Sequence, residues 1–199
     1  MRLRKLLLAV AGATVLLGAF TSSAFARNFS FNNQQLRAYF REVRFNGLFG
    51  QTNCELTLEG SLHSRTIAKI IGQLIGYITA AHLGPCVTGT ATVLTETLPW
   101  HVRYANFVGV LPNITRIDTN TIDASIRVRT PEGASCLSRS TVERPAQAQY
   151  NRGIVSGRIR SVTLGGTIDT SCGFPGTFAS DNALVFLLFT TALIIVRLI

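Results

Sequence analysis

The chain has 199 residues and a formal net charge of +9, from 19 Lys and Arg against 10 Asp and Glu. That length is enough for one domain with a sizeable core. The arginines are scattered, and no basic stripe with interleaved aromatics is visible, so the sequence argues against nucleic-acid binding. The positive charge favours contact with anionic envelope polymers or membrane surfaces, and a basic surface that is simply solvated is the other explanation.

The amino-terminal segment, residues 1–26, has the pattern of an export signal. A short basic segment precedes the uncharged apolar run Leu6–Phe20, and Ala24–Ala26 matches the small-x-small cleavage pattern. The apolar run is short for a bilayer span, which needs roughly 20 residues. We expect cleavage between Ala26 and Arg27. Residues 27–199 would then form a single secreted domain, either released or retained at the cell envelope.

Two stretches mix helical and strand signals. In residues 33–46 apolar side chains recur at helical spacing, but the aromatic content favours a strand, which we predict. In residues 66–83 the apolar stripe also has helical spacing. Gly72 and Gly76 would each cost a helix about 1 kcal/mol. We therefore favour two short strands that meet near Gly72 over one amphipathic helix.

The clearest strand pattern lies between Thr90 and Thr130. From Trp100 to Val110 the even positions are mostly apolar, while His101 and Arg103 fall on the opposite face. A second alternating run covers residues 122–129. Pro112 lies between the two runs and suits a turn, because it has no N–H for a sheet. The pattern predicts two strands, each with one buried face and one solvated face.

The remaining chain is punctuated by Gly and Pro. We predict strands at residues 54–59, 88–98, 134–141 and 162–168. Residues 143–153, ERPAQAQYNRG, show no periodicity and are predicted to be the longest loop. Several short strands at this spacing predict an all-β fold, an antiparallel β-sandwich or barrel with room for one short helix.

The last segment, Ala183–Ile199, is apolar on both faces and uncharged until Arg197. It is short for a membrane span and is interrupted by Thr190 and Thr191. One interpretation is a terminal pair of strands buried on both faces. The other is an exposed apolar surface for self-association or envelope contact, because large exposed patches mark interaction sites.

All four cysteines lie in the part of the chain expected to be exported, which predicts two disulfides. Three connectivities are possible, and the sequence does not choose among them. We favour Cys54–Cys86 with Cys136–Cys172, since each would join neighbouring strands. No pair has Cys-x2-Cys spacing and no His lies at ligand spacing from a Cys, so we predict no zinc site.

Several strings in the chain, CELTLEGSLHSRTIAK, LTETLPWHVRY, FVGVLPNIT and the terminal VRLI, resemble those of a group of uncharacterised bacterial secreted proteins. These proteins are predicted to be small, exported and to carry four cysteines. The resemblance covers most of the chain after the export signal. It implies export and a single four-cysteine β domain, and it brings no known activity with it.

The sequence carries no motif of a hydrolase, a metalloprotease or a nucleotide-binding site. Three histidines spaced 19 residues apart share no surrounding motif, so we predict neither a metal nor a cofactor. The best candidate for a ligand site is a cluster of aromatic, basic and acidic residues that could grip a sugar ring or an anionic group. It consists of Glu96, Trp100, His101, Arg103 and Tyr104.

The sequence leaves two explanations of that cluster open. Trp100 and Tyr104 share one strand face and would be core residues if that face is buried, which leaves His101 and Arg103 as ordinary surface. The leading functional hypothesis is an exported, non-catalytic β domain that binds a ligand, such as an anionic envelope polymer or carbohydrate, or associates with the envelope. The alternative is a secreted hydrolase with an unrecognised site.

Overall fold

A computed structural model describes residues 28–47 and 50–199. Within these residues the only helical element is one turn of 3-10 helix, Thr95–Thr97, so no helix there is long and apolar enough to cross a membrane. The predicted export signal, with its cleavage site between Ala26 and Arg27, lies outside the described residues.

The described residues form antiparallel strands throughout, which confirms the predicted all-β class. The strands are β1 (Asn28–Phe31), β2 (Gln35–Gly47), β3 (Gly50–Leu62), β4 (Thr66–Ala68), β5 (Leu74–Cys86), β6 (Thr90–Val93), β7 (Trp100–Val110), β8 (Asn113–Ile122), β9 (Ser125–Arg129), β10 (Ser135–Arg139), β11 (Ala146–Arg152), β12 (Ile159–Thr170), β13 (Gly176–Ser180), β14 (Leu184–Leu187) and β15 (Val196–Leu198).

Eight of these strands close into a barrel. The hydrogen-bonded order is β11-β8-β7-β5-β3-β2-β13-β12, and β12 pairs in turn with β11 from Gln147↔Gly165 to Arg152↔Ile159. The short β13 covers one half of β2 and β14 covers the other. Each of the eight strands therefore has a hydrogen-bonded partner on both sides along at least part of its length. The pairing of β5 with β7 is the short one and runs only from Leu74 to Ile78 of β5.

Alternation along each strand places the core inside the ring. On β2, Phe40 and Val43 are fully buried, and a bulge between them puts Arg41 and Glu42 on the outer wall. On β7, Trp100, Val102 and Tyr104 point inward as predicted, and Trp100 is only 2% exposed. The prediction was wrong for Val108 and Val110, because a bulge after Tyr104 shifts the alternation, so that Phe107 packs against the core and the two valines are exposed. The interior is thus built from one face of every strand, as period-two geometry requires.

Different strands cover the two ends of the barrel. The sheet β15-β1-β4 lies at the end where β3 leads into β5, and its Phe29 packs into the barrel beside Leu62 and Val102. At the other end, β10 pairs with the last residues of β12 and continues through β9 to β6. Asp123 turns the chain from β8 into β9 with a left-handed φ of 69°, which Asp tolerates better than most residues.

The two disulfides have the favoured connectivity. Cys54 and Cys86 are directly opposed on β3 and β5, with their Cα atoms 4.0 Å apart. Cys136 on β10 is joined to Cys172, which follows β12, at a Cα separation of 5.6 Å. Each bond therefore links neighbouring strands near the end of the barrel covered by β6, β9 and β10. Two such bonds indicate an oxidising environment.

Both ambiguous stretches are strands. Residues 35–47 form β2, and the stretch 66–83 breaks at Gly72, which has a φ of +80°, into β4 and β5. Predictions for three further stretches were wrong in whole or in part. The run at residues 122–129 is not one strand, because Ile122 ends β8 and only Ser125–Arg129 forms β9. Only Thr90–Val93 of the 88–98 stretch is a strand, since the chain then turns through Thr95–Thr97. The predicted loop at 143–153 contains β11, which closes the barrel.

The carboxy-terminal segment is built into the core along one face. Ala183, Val185, Ile194 and Val196 are buried at 3% exposure or less, while Phe189 between them is 82% exposed. β14 pairs with β2 and β15 pairs with β1, so the segment ties the barrel wall to the sheet at its end. Neither sequence interpretation was complete, because one face is core and the other is solvated.

We expect removal of Ala183–Ile199 to abolish cooperative unfolding, because it strips partners from β1 and β2 and exposes Phe29 to water. Urea unfolding followed by circular dichroism measures this. The matched control is Phe189→Ser, which lies in the same segment but is solvent-exposed and should stay within about 0.5 kcal/mol of the unaltered chain. A truncated chain with an unchanged urea midpoint would contradict the assignment of this segment to the core.

Candidate functional site

The interior of the barrel is not completely filled. A cavity of about 120 Å³ lies inside the ring, and side chains from all eight barrel strands line it. Engineered apolar cavities of about 150 Å³ in other proteins stay dry and bind benzene or xenon, so this space is of a useful size. The inward-facing lining includes Leu36, Ala38, Phe40, Val43, Phe45, Leu56, Leu58, Ile78, Trp100, Val102, Ala146, Ala148, Tyr150, Val162, Leu164 and Phe178.

A second cavity, of about 50 Å³, lies next to the first towards the sheet β15-β1-β4. Leu36, Leu62, Val102 and Tyr150 line both spaces, so the Tyr150 ring lies at the boundary between them. Phe29 from β1 closes the far side. The two spaces are therefore adjacent parts of one mainly apolar interior.

Three hydroxyl groups interrupt this apolar lining on neighbouring strands. Tyr104, Thr119 and Tyr150 all line the smaller cavity, and Thr119 Oγ1 is buried. Burial, with a smaller effect of Asp118, raises the pKa of Tyr104 to about 12. Burial also raises the pKa of Tyr150, an effect that the Thr119 hydroxyl partly offsets. All three groups are therefore neutral at ordinary pH and could bond a neutral ligand oxygen.

No charged side chain of the described residues points into either cavity. Glu59 borders the larger one through its backbone position, but its carboxylate lies on the outer wall, where Arg37 Nε donates to Glu59 Oε1 at 2.8 Å. A charged ligand would therefore lose its hydration inside the barrel without gaining a counter-charge, which is costly. The interior suits an uncharged, mainly apolar molecule.

The residues predicted to form one ligand site are separated by the barrel wall. Trp100 lines the larger cavity and Tyr104 the smaller one, whereas His101 and Arg103 lie on the opposite face of β7. Glu96 is exposed on the 3-10 turn. The five residues therefore make no joint site for a sugar or an anion. The alternation of β7 had already indicated this division.

The outer wall carries a different cluster that the sequence did not predict. His101 Nδ1 lies 2.9 Å from Asp123 Oδ2, and the His101 ring makes an edge contact with Tyr77, which in turn contacts His63. The register of β5 with β7 places Tyr77 opposite His101 and so assembles the cluster. The sequence indicated this cluster only in part, because two of its members, His63 and His101, are among the three histidines spaced 19 residues apart.

The His101–Asp123 pair has the geometry of a general base and its orienting carboxylate. Catalysis of hydrolysis would also need a nucleophile or an activated water beside it. Within residues 28–47 and 50–199, no hydroxyl or thiol is hydrogen-bonded to His101, and no group of three or more His, Cys, Asp or Glu residues is placed to hold a metal ion. The barrel interior is therefore the stronger candidate site.

Comparison of this chain with protein family models, curated proteins and solved structures finds no match. The resemblance to a group of bacterial secreted proteins accordingly stays a prediction. Any functional conclusion must come from the geometry and chemistry of the barrel itself.

We expect the free energy of unfolding to fall as the pH rises from about 10 towards 12. Unfolded tyrosine ionises near pH 10, whereas burial keeps Tyr104 and Tyr150 protonated in the folded chain. Their contribution is present in full below pH 10 and is lost as the pH rises through the folded pKa. Urea unfolding between pH 8 and 12 measures the effect.

The Tyr104→Phe variant should show a flatter dependence of stability on pH over this range, because one of the two buried hydroxyls is gone. Tyr77→Phe, which removes a hydroxyl from the outer wall, is the matched control. A Tyr104→Phe profile that overlays that of the unaltered chain would contradict the burial of this hydroxyl.

Proposed function

We propose that this chain is an exported, non-catalytic binding protein that holds a small uncharged molecule inside its barrel. The observation that carries the proposal is the apolar cavity of about 120 Å³ lined by all eight strands. A largely apolar pocket with a few converging polar groups is the usual form of a small-molecule site. Export is supported by the predicted signal and by two disulfides, which persist in oxidising compartments.

The lining also restricts the class of ligand. The larger cavity has room for a body the size of a benzene ring or a short branched chain. The hydroxyls of Tyr104, Thr119 and Tyr150 lie towards one end, where they favour a ligand that carries a hydroxyl or carbonyl oxygen. A ligand of six to eight heavy atoms is expected to bind with a Kd of about 0.1–1 mM.

Trp100 offers a direct measurement of binding. It is the only tryptophan in the chain, and its buried ring lines the larger cavity while Nε1 donates to Thr97 Oγ1 at 2.8 Å. We expect uncharged aromatic and branched alcohols or ketones to change its fluorescence saturably and to raise Tm. Benzoate and alkylammonium ions of similar size should do neither.

Filling the cavity tests whether the signal comes from inside the barrel. Ala148 is 4% exposed and lines the cavity from β11, so Ala148→Leu should abolish binding while the chain keeps or gains up to about 2 kcal/mol of stability. Ala80→Leu is the matched control. Ala80 pairs with Glu59 on the outer wall, and this variant should bind normally.

Two results would overturn the proposal. One is the absence of any saturable change in Trp100 fluorescence or Tm across the panel of uncharged molecules. The other is undiminished binding by a folded Ala148→Leu variant, since the ligand would then lie outside the barrel.

A further inference from the structure

One end of the barrel carries an excess of positive charge, and Asp118, which lies on β8 just outside it, is paired with Arg116. In an antiparallel barrel every second connection lies at the same end. This end contains the start of β2, the connections β3–β5, β7–β8 and β11–β12, and the strands β1 and β15. We call this region the basic end and define it as residues 28–34, 62–74, 107–116, 152–160 and 188–199. These residues include seven Lys and Arg and no Asp or Glu.

Four of the arginines at the basic end are exposed: Arg65, Arg158, Arg160 and Arg197. None of them forms an ion pair with any residue that the structure describes. The opposite end is different, because acidic residues accompany its arginines there. Arg144 Nη1, for example, lies 2.7 Å from Asp169 Oδ1, and Arg139 Nη2 lies 3.8 Å from Asp123 Oδ1.

Exposed aliphatic side chains project from the loops of the same end. Ile71 precedes β5, Val110 is at the tip of the β7–β8 hairpin, and Val155 is in the β11–β12 loop; they are 77%, 81% and 100% exposed. Ile70, Leu111 and Ile154, their neighbours in sequence, are exposed as well. Three separate connections therefore end in apolar tips, although loops that face water are usually polar.

We infer that the basic end docks onto an anionic lipid surface. Aliphatic side chains at the loop tips would enter the boundary between headgroups and acyl chains, and the surrounding arginines would lie at the level of the lipid phosphates. Arginine is well suited to this position because its guanidinium donates to two phosphate oxygens at once. The inference is independent of the cavity and of any ligand bound there.

The positive charge and the exposed aliphatic side chains of the basic end together favour a lipid surface over a soluble polyanion as its partner. A polyanion would need the arginines alone and would gain nothing from six exposed aliphatic side chains. Self-association of two basic ends would bring unpaired arginines together, which repels. A bilayer rich in phosphatidylglycerol satisfies both features, since it offers an apolar interior beneath a negatively charged surface.

The test is sedimentation of the disulfide-bonded protein with vesicles of phosphatidylcholine and phosphatidylglycerol in equal amounts, and with vesicles of phosphatidylcholine alone. We expect binding to the anionic vesicles at least tenfold stronger than to the neutral ones, and weaker binding in high salt. The Arg158→Gln, Arg197→Gln double variant should lose about fivefold per arginine. The control pair is Arg127→Gln, Arg129→Gln, exposed on β9 at the other end.

The apolar contribution has its own variants. The triple variant Ile71→Ser, Val110→Ser, Val155→Ser should bind the anionic vesicles at least tenfold more weakly. Because all three side chains are exposed, we expect these substitutions to leave the chain folded. Val87→Ser, Val142→Ser, Phe174→Ser is the matched control, because these residues are 85%, 63% and 60% exposed outside the basic end. Circular dichroism verifies folding of each variant.

Three results would overturn the inference. The first is the absence of binding to anionic vesicles by the unaltered chain. The second is equal loss in the two triple variants. The third is binding of soluble polyphosphate or formation of a dimer at the same end, with vesicle binding unaffected by the Ile71, Val110 and Val155 substitutions.

Discussion

The backbone pairing of β11 with β12 closes the barrel, because without it the ring of eight strands would be open between these two strands. Once the ring is closed, the number of strands sets the width of the interior. Eight strands leave a space that side chains just fill or that holds one small ligand. The character of the interior therefore depends on which side chains the closing strand contributes. β11 contributes Ala146, Ala148 and Tyr150, of which two are small.

Small inward-facing residues on opposite walls create the unfilled volume. Ala38 on β2 and the two alanines of β11 lie where larger aliphatic side chains would fill the space. Gly60 on β3 has no side chain, and a Cβ there would lie 2.6 Å from the carbonyl oxygen of Tyr77. The sheet β15-β1-β4 covers one end, and β10, β9 and β6, which continue from β12, cover the other, near which both disulfides lie. The cavity thus lies within a ring of paired strands that two disulfides cross-link near one end.

Much of the fold was predictable because large apolar residues alternate from Trp100 to Tyr104 on β7 and along β12. β11 was missed because its inward residues are mostly alanine, so AQAQYN looks polar although its period is two. β8 was missed for a similar reason, since Thr119 and Thr121 face the interior. The site was beyond prediction. A cavity depends on the sum of side-chain volumes from eight strands, and no local pattern in the sequence reports that sum.

The measurement that tests this account most directly is a crystal structure of the disulfide-bonded protein under pressurised xenon. Xenon is uncharged, makes no hydrogen bonds and enters dry apolar cavities. We predict a closed eight-stranded ring with xenon density inside it, between Trp100 and Tyr150. An interior filled by side chains or by ordered water, with xenon absent, would contradict the claim that the barrel encloses an apolar binding cavity.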